Sequence, residues 1–142
     1  MSIEERIIQN TTDAIIAADA FGKIILWNSG AEQLFGFPAA EALKQSLDII
    51  IPEAQRERHW AGYHKVMQTG VTKYGAQLLR VPAVRKDGNR FSIAFTVGLL
   101  KDASGSMEGI FAIVRDDTER RETERELRKR IAQIEGAVSR ET

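Results

Sequence analysis

Both histidines of the chain lie in the stretch "RERHWAGYH", residues 56 to 64, with Trp60 and Tyr63 between them. Two imidazoles so close in sequence raise the question of a metal site. On a helix each residue turns about 100°, so His59 and His64 point roughly 140° apart and cannot readily ligate one ion together. His59 instead falls among Trp60, Tyr63, Val66 and Met67, in an apolar arc of roughly 120°. His64 lies past the edge of that arc, beside Gln68 and towards Lys65, and reads as surface. A neutral imidazole on an apolar face can ligate heme iron. The same stripe can also serve as ordinary core.

Little other chemistry is open to these residues. The chain has no cysteine, which removes disulfides, thiolate catalysis, sulfur-bound zinc and the flavin adducts of cysteine-dependent light sensors. Carboxylates gather in "IEER", "PEAQRE" and the C-terminal helix, all solvated faces, while Asp13 and Asp48 stand alone. No nucleophile–base pair is legible, so an enzyme is not expected. Twenty basic and twenty acidic side chains cancel, without the basic field of a nucleic-acid binder. The apolar runs "AIIAA" and "DIIIP" are too short for a bilayer. The acidic, amphipathic N-terminus does not fit a secretory signal. The expectation is a cytoplasmic protein with neither nucleic acid nor membrane as partner. At 142 residues and 43% hydrophobic content, it has room for one core.

The elements that must position His59 follow from periodicity and punctuation. Ser2 and Glu5 have capping-box spacing and open a short helix with Ile3, Ile7 and Ile8 on one side. "DAIIAADAFGKIILWN" reads as a hairpin with strands Ala14–Ala18 and Lys23–Trp27. Asn28 caps a helix that buries Ala31, Leu34 and Phe35 and stops at Gly36. Pro38 starts another helical stretch through Leu43, and Pro52 closes "LDIII". Residues 53–69 form the longest core helix, ended by Gly70. Three strands follow: one near Tyr74–Arg85, one over Arg90–Leu100 with alternating Phe91, Ile93, Phe95, Val97 and Leu99, and one over Glu108–Arg115. From Asp116 onward the sequence is charged, with Leu127, Ile131, Ile134 and Val138 at 4-3-4 spacing. That seam predicts a short parallel coiled coil, with a single helix resting its stripe on the core as the alternative.

This order of elements resembles the PAS sensory-domain family. "DAIIAADAFGKIILWNSGAEQLFGF" is similar to the family's opening hairpin and the helix after it. "RKDGNRF" is similar to its central hairpin, and "GIFAIVRDDTERR" to its last strand with an Asp-x-Thr exit. The resemblance runs from about Thr11 to Arg121, and it departs at Lys44-Gln45, where the family often has glycine. It implies an α+β fold: a five-stranded antiparallel sheet with short helices and one long helix on one face. An N-terminal amphipathic helix (1–10) would precede the PAS domain (11–117), and a C-terminal signalling helix (118–142) would follow it.

The resemblance also implies a function, that of a sensor which passes a change through its exit helix to an output domain or partner, as a homodimer. "IPEAQRERH" is similar to the stretch before the proximal histidine of heme-binding oxygen-sensor PAS domains, which places that ligand on His59. The resemblance implies a small ligand or cofactor, with heme b the leading single candidate and no other ligand named, and a site of His59, Tyr63, Val66, Leu78, Leu79, Arg80, Phe95, Val97 and Ile113. Three positions depart from that group. Its oxygen-sensing arginine falls on Leu79 with Arg80 adjacent, its propionate-pairing arginine falls on Lys65, and its tyrosine falls on Gly62 with Tyr63 one place late. The alternative is a cofactor-free PAS module for dimerisation.

Overall fold

A computed structural model describes residues 1–141 of the chain. The start and stop signals of the N-terminal half act as their chemistry requires. Ser2 Oγ accepts the Glu5 N–H at 3.1 Å and opens α1 (Ile3–Asn10). The hairpin of β1 (Ala14–Asp19) and β2 (Ile24–Trp27) turns through Gly22 at φ 81°. Asn28 then caps α2 (Ser29–Phe35). Its Oδ1 accepts from Ala31 N–H at 2.9 Å and Ile15 N–H at 2.8 Å, and its Nδ2 donates to the Ile8 and Asp13 carbonyls at 2.7 and 3.0 Å. One fully buried amide thus ties α1, β1 and α2 together with its hydrogen-bonding capacity used.

Gly36 ends α2 in the left-handed conformation, and α3 (Ala39–Ala42) follows Pro38. A 3-10 turn over Leu47–Ile50 leads to α4 (Glu53–Thr69), which Gly70 ends at φ 68°. Lys44, between α3 and that turn, has φ 71°, the one non-glycine residue in the left-handed region among the described residues. The departure from glycine noted at this position leaves the backbone bend in place and puts a Cβ into it.

Strands β3 (Leu79–Val84), β4 (Arg90–Lys101) and β5 (Met107–Asp116) complete an antiparallel sheet of order β2-β1-β5-β4-β3. Its inner face buries Ile16, Ile24, Trp27, Phe91, Ile93 and Val114 against Ala31 and Phe35 of α2. Each large side chain buried there contributes about 1.5–3 kcal/mol. Phe35 anchors this cluster, with its ring 5.5 Å from Trp27 and 5.7 Å from Phe91. The third strand is shorter than the expected Tyr74–Arg85: β3 begins at Leu79. Gly75 has φ 53° and Gln77 N–H donates to the Tyr74 carbonyl at 2.8 Å, so the backbone there turns and does not run as extended strand.

The opposite face of the sheet carries Ile15, Phe111 and Ile113. Phe111 lies over its cross-strand partner Gly98, where a Cβ would overlap the phenyl ring. Beyond β5 runs α5 (Thr118–Glu141). Its seam residues Leu127, Ile131, Ile134 and Val138 are 52–64% exposed, so the stripe does not rest on the core.

Candidate functional site

α4 crosses the sheet from the β1–β2 hairpin to the far ends of β4 and β5, where Gly70 lies against Lys101 and Met107. Two aromatic residues fix its near end. Trp60 Nε1 donates to Asp48 Oδ1 at 2.7 Å, and its indole ring occupies the space a Cβ would fill at Gly22. The Tyr63 hydroxyl donates to the Asp19 carbonyl. Burial, with the Asp19 carboxylate adding to it, pushes the Tyr63 pKa up to about 12. Arg56 secures the start of the helix through the Ile51 carbonyl at 3.1 Å.

His59 sits among these anchors, half-buried, with its ring edge-on to Trp60 at 4.6 Å and 5.8 Å from Tyr63. Its Nδ1 is buried without a hydrogen-bond partner. Gln55 Oε1, one turn earlier on the same helix, is in the same condition. Each unpaired buried group costs roughly 1–3 kcal/mol. Burial lowers the His59 pKa below 6.5, with Asp48 opposing and His64 reinforcing that shift. At neutral pH His59 is therefore an uncharged base. His64 is exposed, as the helical arc predicts, and stacks at 6.1 Å on Trp60.

The second half of α4 brings half-buried Val66 and Met67 to the same side as Tyr63. On the sheet, Phe95 and Ala112 pack at the edge of the core. Alternation puts Val97, Leu99 and Ile110 on the same face, all half-buried. Both walls between α4 and this part of the sheet are apolar and incompletely covered. Leu79 joins them, in register with Phe95.

Three of the residues expected here lie elsewhere. Ile113 pairs with Thr96 and Ile15 on the outer face, one register step out of phase with Val114 and Ala112. Leu78 precedes β3 and is 44% exposed. Arg80 also faces outward, with Nε 3.5 Å from Asp117 Oδ2. His59, Tyr63 and Val66 share the apolar side of α4, and Leu79, Phe95 and Val97 share the inner face of the sheet. Gln55 and Asp48 are additions: one lies four residues before His59 and was legible as its same-face neighbour, whereas no sequence signal links Asp48 to Trp60.

The junction with α5 is a second built feature. Asp117 N–H donates to the Ser92 carbonyl at 2.7 Å, and Ser92 N–H donates to Thr118 Oγ1 at 3.3 Å. The buried Asp117 carboxylate accepts both Arg120 Nε and Nη2, at 2.9 and 3.1 Å. The side-chain acceptor for the first helical N–H is instead Asp116, which takes Thr118 N–H at 2.9 Å. The Asp117 and Thr118 side chains hold arginine and the start of β4.

Among the described residues no helix is long and apolar enough to cross a membrane, and no group of three or more His, Cys, Asp or Glu could hold a metal ion. The chain is 31% identical over 123 residues to "Sensor protein FixL" of Bradyrhizobium diazoefficiens, an alignment covering 87% of this chain and 24% of that one. An uncharacterised protein of Azorhizobium caulinodans is 30% identical over 123 residues, with 86% and 16% covered. The chain thus spans a quarter or less of the relatives it matches. Among solved structures, the PAS domain of a Colwellia psychrerythraea protein superposes with TM-score 0.72 at 23% identity, covering 82% of this chain and 95% of that one. An RNA-binding light-oxygen-voltage receptor gives TM-score 0.73 at 20% identity, with 92% and 36% covered. The model of the PAS fold matches residues 5–116, and the chain belongs to that family of sensory domains.

Proposed function

We propose that the chain is a ligand-binding sensory module, with heme b held through His59 as the leading occupant of the slot between α4 and the sheet. It relays occupancy through α5 to an output domain or partner protein, as a homodimer. The observation that carries this reading is His59 itself: a neutral imidazole, half-buried on the apolar side of α4, with Nδ1 unpaired. The likeness to a sensor protein over the same stretch supports it.

These residues fit heme. His59 would supply the iron ligand, and Tyr63, Val66, Leu79, Phe95 and Val97 the apolar walls. Bound there, heme would supply an iron centre able to bind a diatomic gas. Leu79 has no hydrogen-bond donor, and Arg80 is engaged by Asp117 on the other face. β3 therefore offers a polar gas no charge-assisted contact, which favours carbon monoxide over oxygen relative to a slot lined by arginine. Protein expressed with heme supplied should show a Soret band that His59→Ala abolishes and His64→Ala leaves. Failure of the wild type to retain heme after reconstitution rejects the heme assignment.

A second reading, a cofactor-free pairing module, is favoured by the exposed apolar residues Ile3 and Ile7 of α1, Ile113 of the outer face and the α5 seam. It predicts a dimer with no visible absorption. Both readings are of a sensor or adaptor.

A further inference from the structure

Gln55 Oε1 and His59 Nδ1 are the two buried side-chain atoms left without a hydrogen-bond partner among the described residues, and they stand four residues apart on one helix. At that spacing, side chains share a face about 6 Å apart along the axis. An amide oxygen is an acceptor, and an imidazole nitrogen becomes a donor when it carries the proton. The terminal amide torsion of glutamine is soft, so its oxygen can be re-aimed without moving the backbone.

We propose that Gln55 accepts a hydrogen bond from His59 Nδ1–H, fixing the tautomer in which Nε2 is the bare base offered to a ligand. Which imidazole nitrogen is protonated is set by the bond its partner nitrogen makes. A ligating histidine commonly directs its other N–H to an acceptor that orients the ring. The consequence concerns ligand class. With Nε2 unprotonated, the slot takes a ligand that brings an electron-pair acceptor, such as an open metal coordination position, or a hydrogen-bond donor. It discriminates against ligands that present only an acceptor at that point. Gln55 is thus a positioning residue acting through His59, and its role in ligand choice rests on the slot reading above.

The tautomer itself can be read without any ligand. In the unloaded, 15N-histidine-labelled full chain at pH 7.5, long-range 1H–15N correlations should show His59 with Nδ1 protonated and Nε2 of the pyridine type. Gln55→Leu should make the Nε2–H form the major one, and Gln55→Glu should restore Nδ1–H. The amide-proton spectrum reports whether each variant is folded. A wild-type His59 that is mainly Nε2–H overturns the proposal whatever the variants do, and so does a folded Gln55→Leu with an unchanged tautomer. Hemin titration of the same samples separates the two claims. An Nδ1–H histidine that binds no hemin removes the heme reading and leaves the Gln55 pairing standing. A hemin-binding protein with an Nε2–H histidine when unloaded does the reverse.

Discussion

The burial that keeps His59 neutral has a consequence for stability. The folded-state pKa lies below 6.5, so between 6.5 and the folded value the unfolded chain binds more protons than the folded one. His59 adds no slope above that window, and within it stability falls as pH falls. Urea midpoints taken from pH 7.5 to 5 should therefore decline more steeply for the wild type than for His59→Gln. Parallel slopes would mean that the ring is solvated in the folded chain. At the junction, Asp117 binds Arg120 through two hydrogen bonds and lies within ion-pair reach of Arg80. Because both arginines are partly solvated, Asp117→Ala should cost about 2 kcal/mol, the scale of a hydrogen bond to a charged group. Hydrogen exchange across residues 119–135 should quicken while the β1–β2 hairpin stays protected. Unchanged exchange would show that α5 is held by other contacts.

At the scale of elements, the position of α4 depends on a missing methyl group. Gly22 combines a positive φ with a Trp60 ring in the space of its absent Cβ. Gly22→Ala should displace the indole from the hairpin and destabilise the fold by about 2 kcal/mol, read by denaturation with tryptophan emission as the probe. Lys44 offers the opposite test. Replacing it by glycine removes a left-handed penalty of about 1 kcal/mol, and the denaturation midpoint should rise. A fall would mean that the Lys44 side chain contributes more than its backbone conformation costs. These two positions also mark what the sequence could reveal. Caps such as Ser2 and Asn28, glycine stops and strand alternation are local signals, and they located the helices and most strands. The meeting of Trp60 with Gly22, or of Arg80 with Asp117, joins residues 38 and 37 positions apart and leaves no local trace. Strand phase explains the misplaced Ile113: its strand is almost wholly apolar, so hydrophobicity alone does not say which residues face inward. The register against Thr96 does. For the candidate site, the arc of α4 singled out His59, Tyr63 and Val66, but the meeting of Trp60 with Asp48 lay outside what periodicity can encode.

For the whole molecule, apolar residues on two terminal helices remain uncovered. Ile3 and Ile7 of α1 and the four seam residues of α5 are all more than half exposed. Pairing with a second copy would remove this surface from water. Sedimentation at micromolar concentration should give a dimer, and Leu127→Glu with Ile131→Glu should weaken it at least tenfold. A monomeric wild type would assign these faces to a different partner. The sheet and α5 are also joined without slack. The Ser92 and Asp117 backbones are bonded at 2.7 Å, and α5 then continues to Glu141 as one helix. Such a joint transmits rotation as well as position. Each residue inserted into α5 advances whatever follows by about 1.5 Å and turns it by about 100°, while seven residues nearly restore the original facing. Reporter domains fused after α5 should therefore respond to the sensor with a periodicity of about seven in linker length. Fusions half a repeat out of phase would present the reporter's opposite face and could invert the sign of its output.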